Sequence, residues 1–408
     1  MLNLSKITDY ILIYLMIAFS GIPFFYKAHI AMMIAFLAIP ALVFAIRKRK
    51  IDRYFVIYVV VLICIQLGQT LKFYDLPIAT YIGMHVRVMF AYLTIKAVGR
   101  KTVDYYIDIM VFSVLASLVF YLSSYIGPVE RFMEGTIAPL FENPLIKESN
   151  YKVWPNIILY TFNSQGEGLV LLKRNSGPFW EPGAFSGFLI VALLFSIIKT
   201  GKLHTRKNRI LMLGVITTFS TSGLVVVVGL IIFYLLINKN STLRYIMIPL
   251  VVVTGLIAFF SLNFLGNKII QKMSYSSATY NTRFKSAEID FYDFLKHPLI
   301  GMGRSEDTRF QGEKEARTIH RNNGVTNHLV MYGGIAFILY FYLMYLGFRR
   351  MCIAYEVDKR MAFFAIVTIF LIGFSQVYFI KVFFIALTLF PVLYNDDTNS
   401  IENHVSTN

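Results

Sequence analysis

Thr217-Thr218-Phe219-Ser220-Thr221-Ser222-Gly223 interrupts an otherwise apolar run, residues 210–237, and the meaning of that interruption decides the fold. Basic segments flank the run, Lys199 to Arg209 before it and Lys239 and Arg244 after it. Lys and Arg concentrate on the cytoplasmic side of membrane spans, so both flanks belong on one side. The chain must go out and back within the run, which is too short for two spans of about 20 residues each. Two short helices meeting at the polar break are therefore predicted. Irregular backbone at membrane depth is tolerated only where protein buries it or where it lines a cavity.

The rest of the chain agrees with this reading. Of 408 residues, 57% are apolar and only 15% charged, against about a quarter charged in a soluble domain. The apolar residues fall in continuous runs at 10–25, 28–46, 54–71, 78–98, 105–126, 179–198, 210–237, 245–262, 328–348 and 361–394. Such runs exclude a disordered or disulfide-stapled chain, and they lack the ten-residue alternation of a β-barrel. The last run is predicted to break near Ser375-Gln376 or Lys381. The expected fold is an all-α, polytopic integral membrane protein of about twelve transmembrane helices, short broken ones included. Its expected divisions are N-terminal spans at 1–126, an outer loop at 127–178, and central spans at 179–262. A large outer loop at 263–327, C-terminal spans at 328–394 and a cytoplasmic tail at 395–408 complete it. The first span is expected to remain uncleaved, although Ala18-Phe19-Ser20-Gly21 resembles a small-residue cleavage site.

The net charge is +16, from 39 Lys+Arg and 23 Asp+Glu. Its basic residues are scattered between apolar runs, which argues against a nucleic-acid partner and leaves anionic lipid head groups or an anionic substrate. Arg47-Lys48-Arg49-Lys50, Arg100-Lys101, Lys199–Arg209 and Arg349-Arg350 read as cytoplasmic. The two outer loops nevertheless carry fifteen cations between them, and long loops are exempt from the positive-inside rule. Topology alone does not explain that charge. Cys64 lies in an apolar run and Cys352 in a basic loop, so no disulfide is expected. No cluster has convincing metal-ligand spacing, and no metal or cofactor is expected.

Three stretches carry candidate chemistry. The first, Arg174-Asn175-Ser176-Gly177-Pro178-Phe179-Trp180-Glu181-Pro182-Gly183, ends the first loop at a helix start. Residues 157–162 and 169–172 could form a β-hairpin that delivers Arg174 to the membrane surface. Pro182 suits a first helical turn, which sets Glu181 at the end where the helix dipole favours an anion. The same residues also suit a helix-end carboxylate and a lipid head-group contact. The second stretch opens a helix predicted at 282–296, with apolar Phe284, Ala287, Phe291 and Phe294 on one stripe. Arg283 and Lys285 oppose the dipole in its first turn, an arrangement that an anion would relieve; lipid phosphate is the alternative anion. Asp290 and Asp293 read as its solvated face. The third stretch is His320-Arg321-Asn322-Asn323-Gly324-Val325-Thr326-Asn327-His328. His320 or His328 could serve as a base, and His328 reads first as an interfacial side chain. His85 and Arg87, inside a span, are expected to line a cavity or pathway, as are Asn323 and His328.

In this order and topology the stretches resemble the O-antigen polymerase and ligase family of bacterial polysaccharide assembly, and are most similar to Wzy-type repeat-unit polymerases. Arg174-x-x-Gly177-x-Phe179-x-Glu181-Pro182-Gly183, the 218–223 break, Arg283 with His297-Pro298-Leu299-Ile300-Gly301-Met302-Gly303, and Asn322-Asn323-Gly324 ahead of Gly333-Gly334 carry the resemblance, over about residues 170–345. Ligase members place a catalytic histidine where Asn323 falls. The resemblance implies a glycosyltransferase of the bacterial plasma (inner) membrane with its site facing the periplasm or exterior. It implies two substrates on polyprenyl (undecaprenyl) diphosphate, with membrane lipids and a chain-length regulator or flippase as partners. Arg174 and Arg283 are the expected diphosphate clamp, with Arg304 and Arg321 as weaker candidates. Glu181 is the expected base and His320 the runner-up. Trp154, Trp180 and Tyr280 are candidates for stacking on sugars. Ligase-type transfer and lipid-oligosaccharide flipping are the alternative functions.

Overall fold

The computed structural model describes residues 4–26, 30–142, 154–163, 173–237, 249, 283–310 and 321–394. Its principal helices are α1 (Leu4–Gly21), α2 (Ile30–Ile46), α3 (Arg53–Phe73), α4 (Ile78–Val98), α5 (Thr102–Ser123), α6 (Pro182–Thr200), α7 (Arg206–Thr217), α8 (Thr221–Ile237), α9 (Arg283–Lys296), α10 (Gly324–Ala354), α11 (Arg360–Ser375) and α12 (Val382–Thr388). Among the described residues, five helical segments are long and apolar enough to cross a membrane: α1, α3, the α4–α5 stretch, α6 and α10. Helices α2, α8 and α11 are apolar and shorter. The protein is an all-α polytopic membrane protein, and no strand occurs among the described residues.

Helix α6 is the axis of the bundle. It packs against α5, α7, α8, α10 and α11, and 89% of its apolar window is buried. Small residues at its start permit this close packing. The Tyr378 ring lies against Gly187, and Ser186 lies 2.7 Å from where a Cβ on Gly223 would stand. Helix α3 is the opposite case, only 22% buried. It is pinned near its ends, where Gln69 Nε2 donates to Ile300 O at 2.6 Å and Met331 O at 2.8 Å, and where Arg350 lies over the Tyr54 ring.

Acidic residues in α1, α5 and the loop before α3 pair with basic ones. Arg47 meets Asp9 at 2.6 Å, Lys96 meets Asp52 at 2.9 Å, Lys207 meets Asp108 at 2.5 Å, and Lys199 pairs with Asp104. Asp104 and Asp108 sit at the start of α5. At its other end Tyr121 donates to Lys173 O at 3.1 Å, so the basic segments and the first candidate stretch occupy opposite ends of the bundle.

The two expected breaks are present. Residues 218–220 separate α7 from α8, with Phe219 at φ 45°. Residues 376–381 separate α11 from α12. A third break was not expected: α10 begins at Gly324 rather than at residue 328 and is interrupted at Gly333 (φ 76°). The 297–303 segment threads into this interruption. Met302 N donates to Val330 O at 2.8 Å, Gly303 N to Met331 O at 3.0 Å, and Gly334 N to Pro298 O at 2.7 Å. These bonds satisfy backbone groups that the interrupted helix cannot pair itself.

Three expectations require correction. The proposed hairpin does not form as read: Asn156 bridges Thr161 in antiparallel fashion, so the chain reverses within 157–160. Asn156 Nδ2 donates to Thr161 Oγ1 at 2.7 Å and Thr161 N to Gly177 O at 2.7 Å, which holds this turn on the first candidate stretch. The other arm, 169–172, lies outside the described residues. Cys352 is buried on α10 and not in a loop. Asp290 is not on a solvated face, as set out below.

A Cβ at Gly301 would stand 2.5 Å from Val330 O and 2.6 Å from Gly333 N, and one at Gly333 would collide with Leu299 O. Both residues also require positive φ, which costs a residue with a Cβ about 1–2 kcal/mol. Gly301→Ala and Gly333→Ala should therefore each lower the thermal midpoint of the purified protein and reduce its folded yield. An unchanged midpoint for both would show that the two backbones do not cross this closely.

Candidate functional site

The first candidate stretch is held in shape by its own sequence. Asn175 Oδ1 accepts from Gly177 N at 2.9 Å, a side-chain-closed turn. Gly177 has φ 52°, with the Phe185 ring 2.6 Å from where its Cβ would stand. Phe179 then stacks on Phe188, with centroids 4.2 Å apart. This turn and anchor explain why Gly177 and Phe179 stand at their spacing from Arg174.

The same loop satisfies the break between α7 and α8. Asn175 N donates to Thr217 O at 3.0 Å, and Arg174 Nε donates to Thr218 O at 3.2 Å. The guanidinium is thus fixed beside the Thr/Ser break. Glu181 is the residue before α6, in an extended conformation, with Pro182 opening the helix. Its carboxylate does not cap the helix; Oε1 accepts from Gln376 Nε2.

Gln376 links the first stretch to the third. A Cβ on Gly324 would collide with Gln376 O, and one on Gly183 would lie 3.1 Å from Gln376 Nε2 and 3.8 Å from Ser220 Oγ. Glu181, Ser220, Gln376 and the start of α10 are therefore immediate neighbours. Asn323 is the buried N-cap of α10. Its Oδ1 accepts from Val325 N at 3.0 Å and Thr326 N at 3.1 Å, while its Nδ2 has no partner among the described residues. Lys381 and Trp180 close this region, the ammonium 5.3 Å from the ring centroid.

The second stretch docks on the same end. Asn322 N donates to Ser286 Oγ at 3.1 Å. Arg283 opens α9 three residues earlier, about 5 Å along the axis. Its backbone therefore lies one helical turn from Asn322. The Arg283 side chain and all of His320 lie outside the described residues.

Helix α9 is fixed by a buried carboxylate, contrary to the expectation of a solvated face. Asp290 is fully buried and meets Arg309 at 3.1 Å and Arg321 at 3.2 Å, while Thr326 Oγ1 donates to it at 2.8 Å. Burial pushes the Asp290 pKa up, and Arg309, Thr326 and Arg321 oppose that shift. Asp293 takes the other side of Arg321 at 3.2 Å. The charge of Arg321 is thus engaged by carboxylates of its own chain. Arg309, which pattern reading did not single out, shares that role.

Arg304 lies elsewhere. Its Nη1 is 4.0 Å from Met84 Sδ, and it is close enough to Arg87 and His328 to interact with both by charge. His85 Nε2 pairs with Gln66 Oε1 at 2.8 Å. His328 is not interfacial. It is 3% exposed and ringed by Tyr332, Tyr340, Phe341 and Phe379, because α10 starts before it and carries it inward. No group of three or more His, Cys, Asp or Glu side chains that could hold a metal occurs among the described residues.

Residues 209–341 match the model of the O-antigen ligase family. The O-antigen ligase match covers α7, α8, α9 and the first half of α10, and so takes in the break, the docked helix and the Asn323 cap. The matched stretch is about a third of the chain, and it is similar to that family over residues that carry the resemblance read from the sequence. A comparison with curated proteins found no match. Arg174 and Glu181 lie outside the matched range; Arg174 is joined to it by Thr218, and Glu181 through Gln376, also outside it, which packs against Gly324.

Removing the charge of Asp290 leaves the buried Arg309 guanidinium uncompensated and Arg321 with Asp293 alone, at a cost of about 3–5 kcal/mol. Asp290→Asn should therefore undock α9, read as faster proteolysis or hydrogen exchange in 283–296. Unchanged protection there would show that the carboxylate does not hold the helix.

Proposed function

We propose that this protein polymerises lipid-linked oligosaccharide repeat units into a surface polysaccharide, by transfer of the glycan from a polyprenyl-diphosphate donor to a lipid-linked acceptor. The reaction takes place at the outer face of the bacterial plasma membrane. The observation that carries this reading is the meeting of the three stretches: Arg174 on Thr218, Glu181 on Gln376, Gln376 against Gly324, and Asn322 against the first turn of α9.

In the proposed reaction a terminal hydroxyl of the acceptor glycan attacks the anomeric carbon of the donor. The bond between that carbon and the diphosphate oxygen breaks, and the diphosphate leaves with the electron pair. Glu181 takes the hydroxyl proton, a role for a positioned carboxylate worth about 10²–10⁴-fold in rate. Arg174 and Arg283 neutralise the leaving diphosphate, since a guanidinium pairs with phosphate oxygens through two parallel bonds. Arg321 acts at one remove, by holding α9 in place. A ligase-type transfer is the second reading, and Asn323 weighs against it: a carboxamide has no basic site, and its oxygen already serves two backbone N–H groups.

Purified protein supplied with lipid-linked repeat units should form polymer. Glu181→Gln should lower the rate at least about a hundredfold with unchanged expression, and normal chain lengths from that variant would remove Glu181 as the base. Arg174→Ala should fail as well, and Arg174→Lys should restore little because it lacks the planar fork. Transfer only to a different acceptor in a panel would identify a ligase. Movement of the lipid without glycan transfer would identify a flippase.

A further inference from the structure

A slot opens between α3 and α10, and neither Arg174 nor Glu181 lines it. Leu62 and Ile65 of α3, Met84 of α4, and His328, Tyr332 and Ala336 of α10 line its upper part, and it runs down to Leu343. From His328 to Leu343 the helix rise gives a length of roughly 20 Å. Along α3 the slot lies between two fixed points, the Gln69 hydrogen bonds at one end and Tyr54 beneath Arg350 at the other.

The lining of the slot is apolar apart from His328 and the Tyr58, Tyr332 and Tyr340 hydroxyls, and two arginines stand next to its Met84 end. Arg304 Nη1 lies 4.0 Å from Met84 Sδ, and Arg87 stands on the same helix three residues beyond Met84, one turn away. Neither Arg87 nor Arg304 forms an ion pair with a carboxylate among the described residues. The Tyr332 hydroxyl and His328 Nδ1 are buried without hydrogen-bond partners there, and both residues line the slot. A cation inside a span, with a second cation from the outer loop and unpaired polar atoms nearby, is unfavourable alone, and an anion would offset the repulsion and occupy the orphan groups. Arg87 also lies nine residues into α4, about 13 Å along it. A phosphate bound there is drawn below the head-group layer, which suits a lipid with one flexible chain better than a two-chain phospholipid.

We propose that the slot seats the isoprenoid chain of a lipid-linked substrate and that Arg87 and Arg304 hold its phosphate, as a second lipid-phosphate site separate from Arg174. The assignment rests on the glycan-transfer reading for the identity of the lipid, since donor and acceptor each bring an isoprenoid and a diphosphate. The binding itself does not depend on catalysis.

The test is photocrosslinking of the full-length protein in detergent with a polyprenyl diphosphate that carries a photoreactive group in its chain. Crosslinks should map to residues 58–65 and 328–343. Arg87→Gln and Arg304→Gln should each reduce them at least about tenfold, the loss expected for one charge-assisted phosphate contact. Arg304→Lys should recover part of the yield, which distinguishes lost charge from misfolding, and Arg174→Gln should leave these crosslinks in place. Unlabelled polyprenyl diphosphate should compete, whereas inorganic pyrophosphate should compete weakly and phosphatidylglycerol not at all. Crosslinks in the slot that persist in both glutamine variants, or equal competition by phosphatidylglycerol, would overturn the proposal. Failure of the glycan-transfer reading would look different: slot crosslinks intact and no product from repeat units on any acceptor.

Discussion

A helix that breaks at membrane depth exposes backbone groups that lipid cannot satisfy, and an unmet buried donor or acceptor costs about 1–3 kcal/mol. This constraint organises the protein. Carbonyls near the break at 218–220 are met by Arg174 and Asn175 from the preceding loop. Those at Gly333 are met by the 297–303 segment and Gln69. Around the break at 376–381, Tyr340 donates to Phe379 O at 2.8 Å, and Ser20 accepts from Phe383 N at 2.8 Å. Each discontinuity therefore draws in a distant part of the chain. Residues far apart in sequence meet because the backbone requires partners, and the candidate site lies where two of these repairs adjoin.

The docked helix α9 uses a different device. Phe294 packs against α10 at Gly334, and the Asp290 pairing with Arg309, Arg321 and Thr326 sets the register of α9 against α10. An apolar contact alone would allow α9 to slide or roll. A carboxylate buried between two guanidinium groups has one favourable position, and any shift leaves a charge without compensation. The first turn of α9, which carries Arg283, is held to Asn322 by the same docking.

Much of this was legible in the sequence, for identifiable reasons. Charge parity required the reversal within 210–237, and the polar residues between the apolar halves located it. Gln376 and Lys381 marked the last break because polar side chains interrupt an apolar run. Helix 283–296 was visible from its apolar spacing. The misreadings share one cause: partners distant in sequence. Asp290 looked solvated because nothing near it in sequence neutralises it; its partners lie at 309, 321 and 326. His328 looked interfacial because the residues before it are polar, yet those residues begin the helix that buries it. The supposed strand at 157–162 is folded back by Asn156 and held by Gly177. Gln376 was read only as a break marker, although its side chain is what touches Glu181. The break at Gly333 was missed because paired glycines in an apolar run give no sign of whether another backbone crosses them.

The burial of α6 bears on how the protein is made. Helices α7, α8, α10 and α11, which enclose it, all follow it along the chain. During synthesis α6 therefore enters the bilayer before the neighbours that will shield its glycines and serines exist. The centre of the molecule must be completed last, when the C-terminal helices arrive. A chain cut short after α8 would leave the face of α6 that carries Gly183 and Gly187, covered in the whole protein by Gln376 and Tyr378, open to lipid and to membrane quality control.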